Sequence, residues 1–117
     1  MKLDTTKLFF APIPGLILRP IMESYVSGTN QKIDGVESVE ARGEALLKSL
    51  MTWKDKDKAE KLFFENTSLE GYGKLNIPET QEKVLKDFGL LALSIIFAEC
   101  WFEYLGKSLA GTGDQEG

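Results

Sequence analysis

Apolar residues recur at helical spacing along the middle of the chain. Asp34, followed three residues later by Glu37, is a helix N-cap signature, in which the aspartate oxygen accepts an unpaired main-chain amide. The stripe that follows predicts an amphipathic helix from about residue 35 to Trp53. Its apolar and small positions, spaced mainly by three and four, are Val36, Val39, Gly43, Leu46, Leu47 and Leu50.

A further helix is predicted immediately afterwards. It begins at Thr52 or Lys54 and runs through Asn66, and the sequence leaves open whether it is separate from the preceding helix or continues it. Helical spacing places three apolar residues on its buried face. These residues are Ala59, Leu62 and Phe63.

The longest apolar pattern lies in the last third of the chain. Asn76 with Glu79 three residues later, and Pro78 in the first turn, predict a helix start. One heptad-like stripe then comprises Val84, Phe88, Leu91, Ile95, Ala98, Phe102, Leu105 and Leu109. A second face comprises Leu90, Leu93, Phe97, Trp101 and Tyr104. A helix that is apolar on most sides lies at the centre of a bundle or at an interface.

The length of this helix conflicts with the size of the chain. An unbroken helix from Ile77 to Leu109 would span about 50 Å. A compact chain of this length has a diameter of roughly 35 Å. A kink at Gly89, an end at Gly106 or self-association would each remove part of the conflict.

The remaining segments carry weaker patterns. Residues 2–11 are compatible with a short strand or a helix, and Pro12 to Gly15 predict an extended connector because proline disfavours helix in the residue before it. Pro20 suits a first helical turn that leads into a short helix to Val26. The glycines in 67–75 predict a loop, and 111–117 is predicted to be a disordered tail.

These elements together predict an all-α fold. We expect one domain over residues 1–110, a small bundle of three to four helices with a long apolar C-terminal helix and a proline-rich N-terminal arm. With 117 residues, 43% hydrophobic and 27% charged, the composition is that of an ordinary globular domain that needs no disulfide or metal to fold.

Charge and hydropathy limit the kinds of partner and the location that we expect for this chain. The net charge is −4, and the lysine run 54–61 is interleaved with acidic residues, so direct nucleic-acid binding is not expected. The apolar run 88–105 contains Glu99 and Glu103, which disfavours a transmembrane span. Proline and glycine residues interrupt the apolar segment 8–22, so a signal peptide is not predicted either, and we expect a cytoplasmic protein.

Few catalytic residue types are present. The chain has no histidine and one cysteine, which excludes nucleophile-histidine triads, histidine-containing zinc sites and thiolate clusters. Cys100 lies in an apolar run and is predicted to be a buried small hydrophobe. An enzyme is therefore less favoured than a binding protein, and no cofactor is expected.

Carboxylates offer one alternative chemistry. Glu37, Glu40 and Glu44 share one helix face, as do Glu99 and Glu103, and facing carboxylates could hold Mg²⁺ against a nucleotide phosphate. The layout resembles that of the all-helical nucleotide pyrophosphohydrolases, although the doubled Glu-Glu start and the closing Asp of that family are missing. The resemblance implies a Mg²⁺-dependent nucleotide phosphohydrolase.

The apolar helix favours a different function. We predict a non-catalytic helical interaction or assembly module, such as a small subunit, adaptor or inhibitor, that binds a protein partner or a second copy of itself. The predicted interface residues are Phe97, Trp101, Phe102, Tyr104 and Leu105. A third hypothesis is a small apolar-ligand pocket between helices. Its predicted lining residues are Phe63, Phe88, Phe97 and Trp101.

Overall fold

The computed structural model describes residues 2–29 and 47–106. Most of these residues are helical, and a small antiparallel sheet accompanies the helices. The helices are α1 (Gly15–Thr29), α2 (residues 47–52), α3 (Lys56–Glu65), α4 (Pro78–Phe88) and α5 (Ala92–Trp101), and α5 continues as a π-helical turn over Phe102–Gly106. The strands are β1 (Leu8–Phe10), β2 (Thr67–Leu69) and β3 (Gly73–Lys74), and a short 3₁₀ turn, Thr5–Lys7, precedes β1.

The sheet corrects the prediction of a purely α-helical fold. β2 pairs antiparallel with both β1 and β3, in the order β1-β2-β3, and Phe9 lies opposite Ser68. Residues 67–75 were predicted as a loop because of their glycines, whereas they form a hairpin with Gly71 in its turn and Gly73 at the start of β3. Gly71 and Gly73 have φ values of 87° and 108°, a region that glycine reaches without steric cost.

Helix α1 begins earlier than the sequence predicts. The carbonyl oxygen of Pro14 accepts the main-chain amides of Ile17 and Leu18, so the first turn forms directly after the proline-rich connector. Pro20 therefore lies inside the helix rather than in its first turn. Its missing amide leaves the carbonyl of Leu16 without its helical donor, and both side chains lie on the exposed side.

Helices α2 and α3 are separate. Trp53 ends the first, since its amide donates to Leu50, and the amide of Lys56 in turn donates to the carbonyl of Trp53. The predicted buried face of α3 is confirmed at Ala59 and Phe63, which are both fully buried. The sequence had left this break undecided.

The long C-terminal helix is broken at Gly89. Gly89 has φ 104° and ψ 170°, outside the helical region, and its amide caps α4 by donating to the carbonyl of Leu85. The axes of α4 and α5 consequently differ by 111°. A kink at Gly89 was one of the features expected to keep this helical segment within the diameter of the compact chain. At the start of α4, Pro78 occupies the first turn as predicted, but Ile77 rather than Asn76 is the N-cap residue.

One face of helix α5 packs into the core. It packs against α3 and α4, and its π-helical continuation packs against α1. The aromatic centre of the core is formed by Phe63, whose ring lies 5.8 Å from that of Phe97 and 5.3 Å from that of Tyr104, between ring centroids.

Two predictions are affected by the range of the structure. The N-cap at Asp34, most of the helix from residue 35 and the tail 111–117 lie outside the described residues. Within the described ranges, no single helix is long and apolar enough to cross a bilayer. Helix α4 and the segment Ala92–Gly106 reach that length and hydropathy only together, across their 111° bend.

Candidate interaction surface

Helix α5 has two different apolar faces. One face lies in the core through Ala92, Ile96, Phe97, Cys100 and Trp101, all of which are buried. The opposite face is accessible. We name its members the α5 stripe, which comprises Leu91, Ile95, Ala98 and Phe102.

The α5 stripe is narrow, continuous and open to solvent. Leu91 is 71% exposed, Ile95 38% and Phe102 55%, and Ala98 is half-buried. At 3.6 residues per turn these positions lie within an arc of about 60° and extend over about 16 Å. Leu90, which is 88% exposed, adjoins the stripe at the corner between α4 and α5.

The stripe is held on a firmly anchored helix. The hydroxyl of Tyr104, just beyond α5, donates a hydrogen bond to the carbonyl oxygen of Ala11 in the N-terminal arm. The hydroxyl of Thr67 lies 3.3 Å from the sulfur of Cys100 and donates to the carbonyl of Phe63 at 2.7 Å. These contacts join α5 to the arm, to β2 and to α3, so the exposed side chains are presented by a rigid element.

The C-terminal end of α5 belongs to an aromatic cluster. The ring of Tyr25 on α1 lies 5.0 Å from Trp101 and 5.3 Å from Trp53, between ring centroids. The indole nitrogen of Trp53 donates to Ser24, whose hydroxyl donates to Asp55. The indole nitrogen of Trp101 is buried and has no hydrogen-bond partner in the described part of the chain.

A groove adjoins the N-terminal end of the α5 stripe. Its volume is about 500 Å³, and it is lined by Lys2, Leu3, Phe88, Ala92 and Ile95. We name this cavity the arm groove, because the N-terminal arm forms one wall. A smaller cavity of about 220 Å³ shares Lys2 and Phe88 with it and extends toward Tyr72.

Several charged residues lie near the arm groove and line the smaller cavity beside it. Lys7 forms an ion pair of 3.0 Å with Glu70, which joins the start of β1 to the hairpin turn. The hydrogen bonds that Asp4 accepts from Thr6 lower the pKa of its carboxyl group. Lys2 makes no ion pair with any described residue, and it brings a positive charge to the edge of the apolar groove.

The predicted interface residues fall into two groups. Phe102 is exposed and belongs to the α5 stripe. The other four, Phe97, Trp101, Tyr104 and Leu105, are buried in the core of this domain and are inaccessible to a partner. These four positions lie on the core face of the helix. Leu91 and Ile95 were in the heptad-like stripe, which was the available signal for the exposed face.

The structure describes only two of the five carboxylates of the alternative Mg²⁺ site. Glu37, Glu40 and Glu44 lie outside the described residues. Glu99 is exposed near the end of α5, and Glu103 is half-buried in the π-helical turn that follows. Residues 2–29 and 47–106 contain no group of three or more acidic, cysteine or histidine side chains that could hold a metal ion.

The predicted ligand pocket is filled by its own side chains. Phe63, Phe97 and Trp101 are buried core residues in contact with other aromatic rings. Phe88 alone of the four predicted lining residues borders a cavity described above, the arm groove. A ligand site of this class would therefore lie at the groove rather than between the helices.

Burial suppresses the acidity of two groups near α5. Loss of solvation raises the pKa of the Cys100 thiol to about 12, although its contact with Thr67 acts in the opposite direction. Loss of solvation likewise raises the pKa of Tyr104 to about 12. The Cys100 thiol is thus a protonated core group at neutral pH, which confirms its predicted burial and is unsuited to nucleophilic chemistry.

Comparison of the chain with protein-family models, with curated proteins and with solved structures found no match.

Proposed function

We propose that this chain is a non-catalytic interaction module that binds a protein partner through the α5 stripe. The observation that carries the proposal is the exposure of Leu91, Ile95 and Phe102 along one side of a helix whose other side is a core face. Contiguous apolar surface of this kind marks interaction sites, whereas single exposed apolar residues need no explanation.

The spacing of the stripe fits a helical partner. Leu91, Ile95, Ala98 and Phe102 follow one another at steps of four, three and four residues, which is the pattern that one amphipathic helix presents to another. Complete burial of a large apolar side chain stabilises a complex by roughly 1.5 to 3 kcal/mol before the costs of association. Phe102 is the aromatic anchor of this set, and aromatic side chains contribute disproportionately to interface energy.

The rigidity of α5 supports the same proposal. A surface that is already ordered loses little conformational entropy on binding. Tyr104 and Cys100 tie the helix to the arm and to β2, as described above, so the partner meets a preformed stripe. Glu99, exposed on the flank of the stripe, adds one charge that would orient the partner.

Site-specific photo-crosslinking in the cells that express the protein would test this proposal. Phe102 is replaced by p-benzoylphenylalanine, and adducts are identified by mass. Phe9 is the matched control, because it is an aromatic residue that is 63% exposed, but on the sheet face opposite to Phe10, whose ring contacts Tyr104. We expect defined protein adducts from position 102 and none of them from position 9. Adducts from position 9 alone would overturn the proposal.

The arm groove favours a second candidate function, the binding of a fatty carboxylate. Its floor is apolar, its volume is within the range of small-molecule sites, and Lys2 offers a positive charge to an anionic head group. Titration with dodecanoate and with dodecanol, followed by NMR, would test this function. We expect dodecanoate to shift the signals of Phe88 and Ile95 and Lys2→Glu to weaken its binding, while equal binding of both lipids would contradict a role for the charge.

A further inference from the structure

We infer that the arm groove and the smaller cavity beside it together bind a zwitterionic single-chain amphiphile of the alkyl phosphocholine class. The alkyl chain lies in the arm groove, the phosphate at Lys2 and the quaternary ammonium in the smaller cavity. The inference rests on the second candidate function, the binding of a fatty carboxylate, and extends it from the anion to a complete head group. We name the smaller cavity the hairpin cavity, because the β2–β3 hairpin borders it through Leu69, Glu70 and Tyr72.

The two cavities adjoin each other but differ in chemistry. Lys2 and Phe88 border both of them. Apart from Lys2, the residues that line the arm groove are apolar, whereas the hairpin cavity is also bordered by the charged residues Asp4, Lys7 and Glu70. Their volumes of about 500 Å³ and about 220 Å³ together lie within the range of small-molecule sites, roughly 300 to 1,000 Å³. A ligand that fills both is therefore apolar at one end and charged at the other.

The charges follow an order that starts at the arm groove. Lys2 stands where the cavities meet, so an anion attached directly to the alkyl chain would lie beside its ammonium group. Asp4 borders the hairpin cavity and not the arm groove, and it forms no ion pair with any described residue. The hydrogen bonds that Asp4 accepts from Thr6 favour its ionised form. The order of apolar wall, positive charge and negative charge matches the chain, phosphate and ammonium of an alkyl phosphocholine.

Two aromatic rings border the hairpin cavity. Tyr72 and Phe88 have ring centroids 5.4 Å apart and ring planes inclined by 54°. The hydroxyl of Tyr72 donates to the carboxylate of Asp87 on α4 at 2.6 Å, which holds the ring in position before any ligand binds. Aromatic rings attract cations, and recognition of quaternary ammonium ligands commonly uses this attraction.

The carboxylates of the hairpin cavity favour a quaternary ammonium over a primary one. Asp4 already accepts hydrogen bonds from Thr6, and Glu70 accepts one from Lys7 at 3.0 Å. Less of their acceptor capacity therefore remains for the three N–H groups of a primary ammonium. A quaternary ammonium has no N–H group to satisfy, and the charge of Asp4 attracts it equally well.

NMR titration of the full chain with matched amphiphiles would test the inference. Dodecylphosphocholine is compared, below its micelle concentration, with dodecylphosphoethanolamine and with an isostere in which carbon replaces the quaternary nitrogen. We expect dodecylphosphocholine to bind about three- to ten-fold more tightly than the isostere, because the rings and the carboxylates attract only the cation. Nuclear Overhauser effects should place its N-methyl protons beside the ring of Tyr72.

Two variants that each remove one negative charge separate this site from the overall charge of the protein. Asp4→Asn retains an acceptor for Thr6 and should reduce the preference for dodecylphosphocholine to less than about two-fold. Asp57→Asn is the matched control, because this side chain is fully exposed on α3 and borders neither cavity. The control should keep the full preference, and an Asp4→Asn variant that also keeps it would overturn the inference.

The inference and the function on which it rests can fail separately. Equal affinity for dodecylphosphocholine and its isostere, or tighter binding of dodecylphosphoethanolamine, would overturn the inference. Binding of dodecanoate that depends on Lys2 would then still support the second candidate function. Absence of binding by every amphiphile would remove both, and it would leave the proposal for the α5 stripe to the photo-crosslinking experiment.

Discussion

The hydroxyl of Tyr104 donates a hydrogen bond to the carbonyl oxygen of Ala11, 93 residues away in the sequence. The Tyr104 ring also stacks on Phe63 with a centroid distance of 5.3 Å. One side chain therefore joins the π-helical turn after α5 to the N-terminal arm and to α3. The position of the α5 stripe depends on this connection.

Removal of the Tyr104 hydroxyl should destabilise the protein. Tyr104→Phe keeps the ring stack but leaves the Ala11 carbonyl without this donor, which we expect to lower the free energy of unfolding by about 1 to 2 kcal/mol. Urea denaturation would measure the loss. Thr52→Val is the control, because its exposed hydroxyl also donates to a main-chain carbonyl, that of Lys48 at 3.1 Å. An equal loss in both variants would contradict the structural role of Tyr104.

The kink between α4 and α5 should depend on glycine. Gly89→Ala would force a side chain into a backbone region that only glycine occupies readily, at a cost of about 1 to 3 kcal/mol. Gly15→Ala is the matched control, since a methyl group there meets no atom within 4 Å and φ is not positive. We expect this control to change stability by less than about 1 kcal/mol. Thermal unfolding of both variants would check the difference, and an unaffected Gly89→Ala variant would contradict it.

The two faces of α5 should respond differently to truncation. Phe97→Ala removes a fully buried ring, which we expect to cost about 3 to 5 kcal/mol. Phe102→Ala removes an exposed ring and should change the stability of the dilute protein by less than about 0.5 kcal/mol. Denaturation at low protein concentration would compare them. A large loss for Phe102→Ala under those conditions would mean that the stripe is covered within the chain itself.

Stability should fall at alkaline pH. Burial raises the pKa of the Cys100 thiol from 9.0 to about 12, so the unfolded chain releases this proton at a lower pH than the folded chain does. The resulting stabilisation is fully present below pH 9 and is lost as the pH rises toward 12. The raised pKa of Tyr104 has the same effect on stability between pH 10 and about pH 12.

Denaturation midpoints at a series of pH values would test this dependence. We expect Cys100→Ala to show a shallower decline between pH 9 and 10 than the unsubstituted chain, because it lacks the thiol. An identical slope in the two proteins would show that Cys100 does not contribute. Tyr104→Phe should become shallower only above pH 10, which separates the two groups by the range in which each acts.

Local patterns predicted the helices better than the strands. The signals for α3 and α4 lie within a few residues of the helices that they specify. These signals are the apolar positions Ala59 and Phe63 in α3 and the proline at position 78 in the first turn of α4. β2 pairs with β1, far away in the sequence, and the hairpin residues 67–75 contain no alternating apolar run. Pairing of this kind depends on the partner strand, which is why glycines in a hairpin turn were interpreted as a loop.

Local sequence patterns also failed to predict which face of α5 is exposed. A helix as apolar as α5 carries no local sign of which side its neighbours will cover, so Phe97, Trp101, Tyr104 and Leu105 were assigned to an interface while Leu91 and Ile95 were not. The kink turns α5 by 111° away from α4. In this arrangement one apolar face of α5 packs against α3 and contacts β2, while the other is exposed to solvent.

The sequence by itself determined the helical segments, the burial of Cys100 and the absence of histidine-dependent chemistry, since each follows from residue types and spacing along the chain. The tertiary structure decided the three-stranded sheet, the separation of α4 from α5 and the choice of the exposed stripe. The physical reason is that these features depend on contacts between distant residues and on the unusual backbone angles of Gly89. Neither is encoded in the periodicity of any one segment.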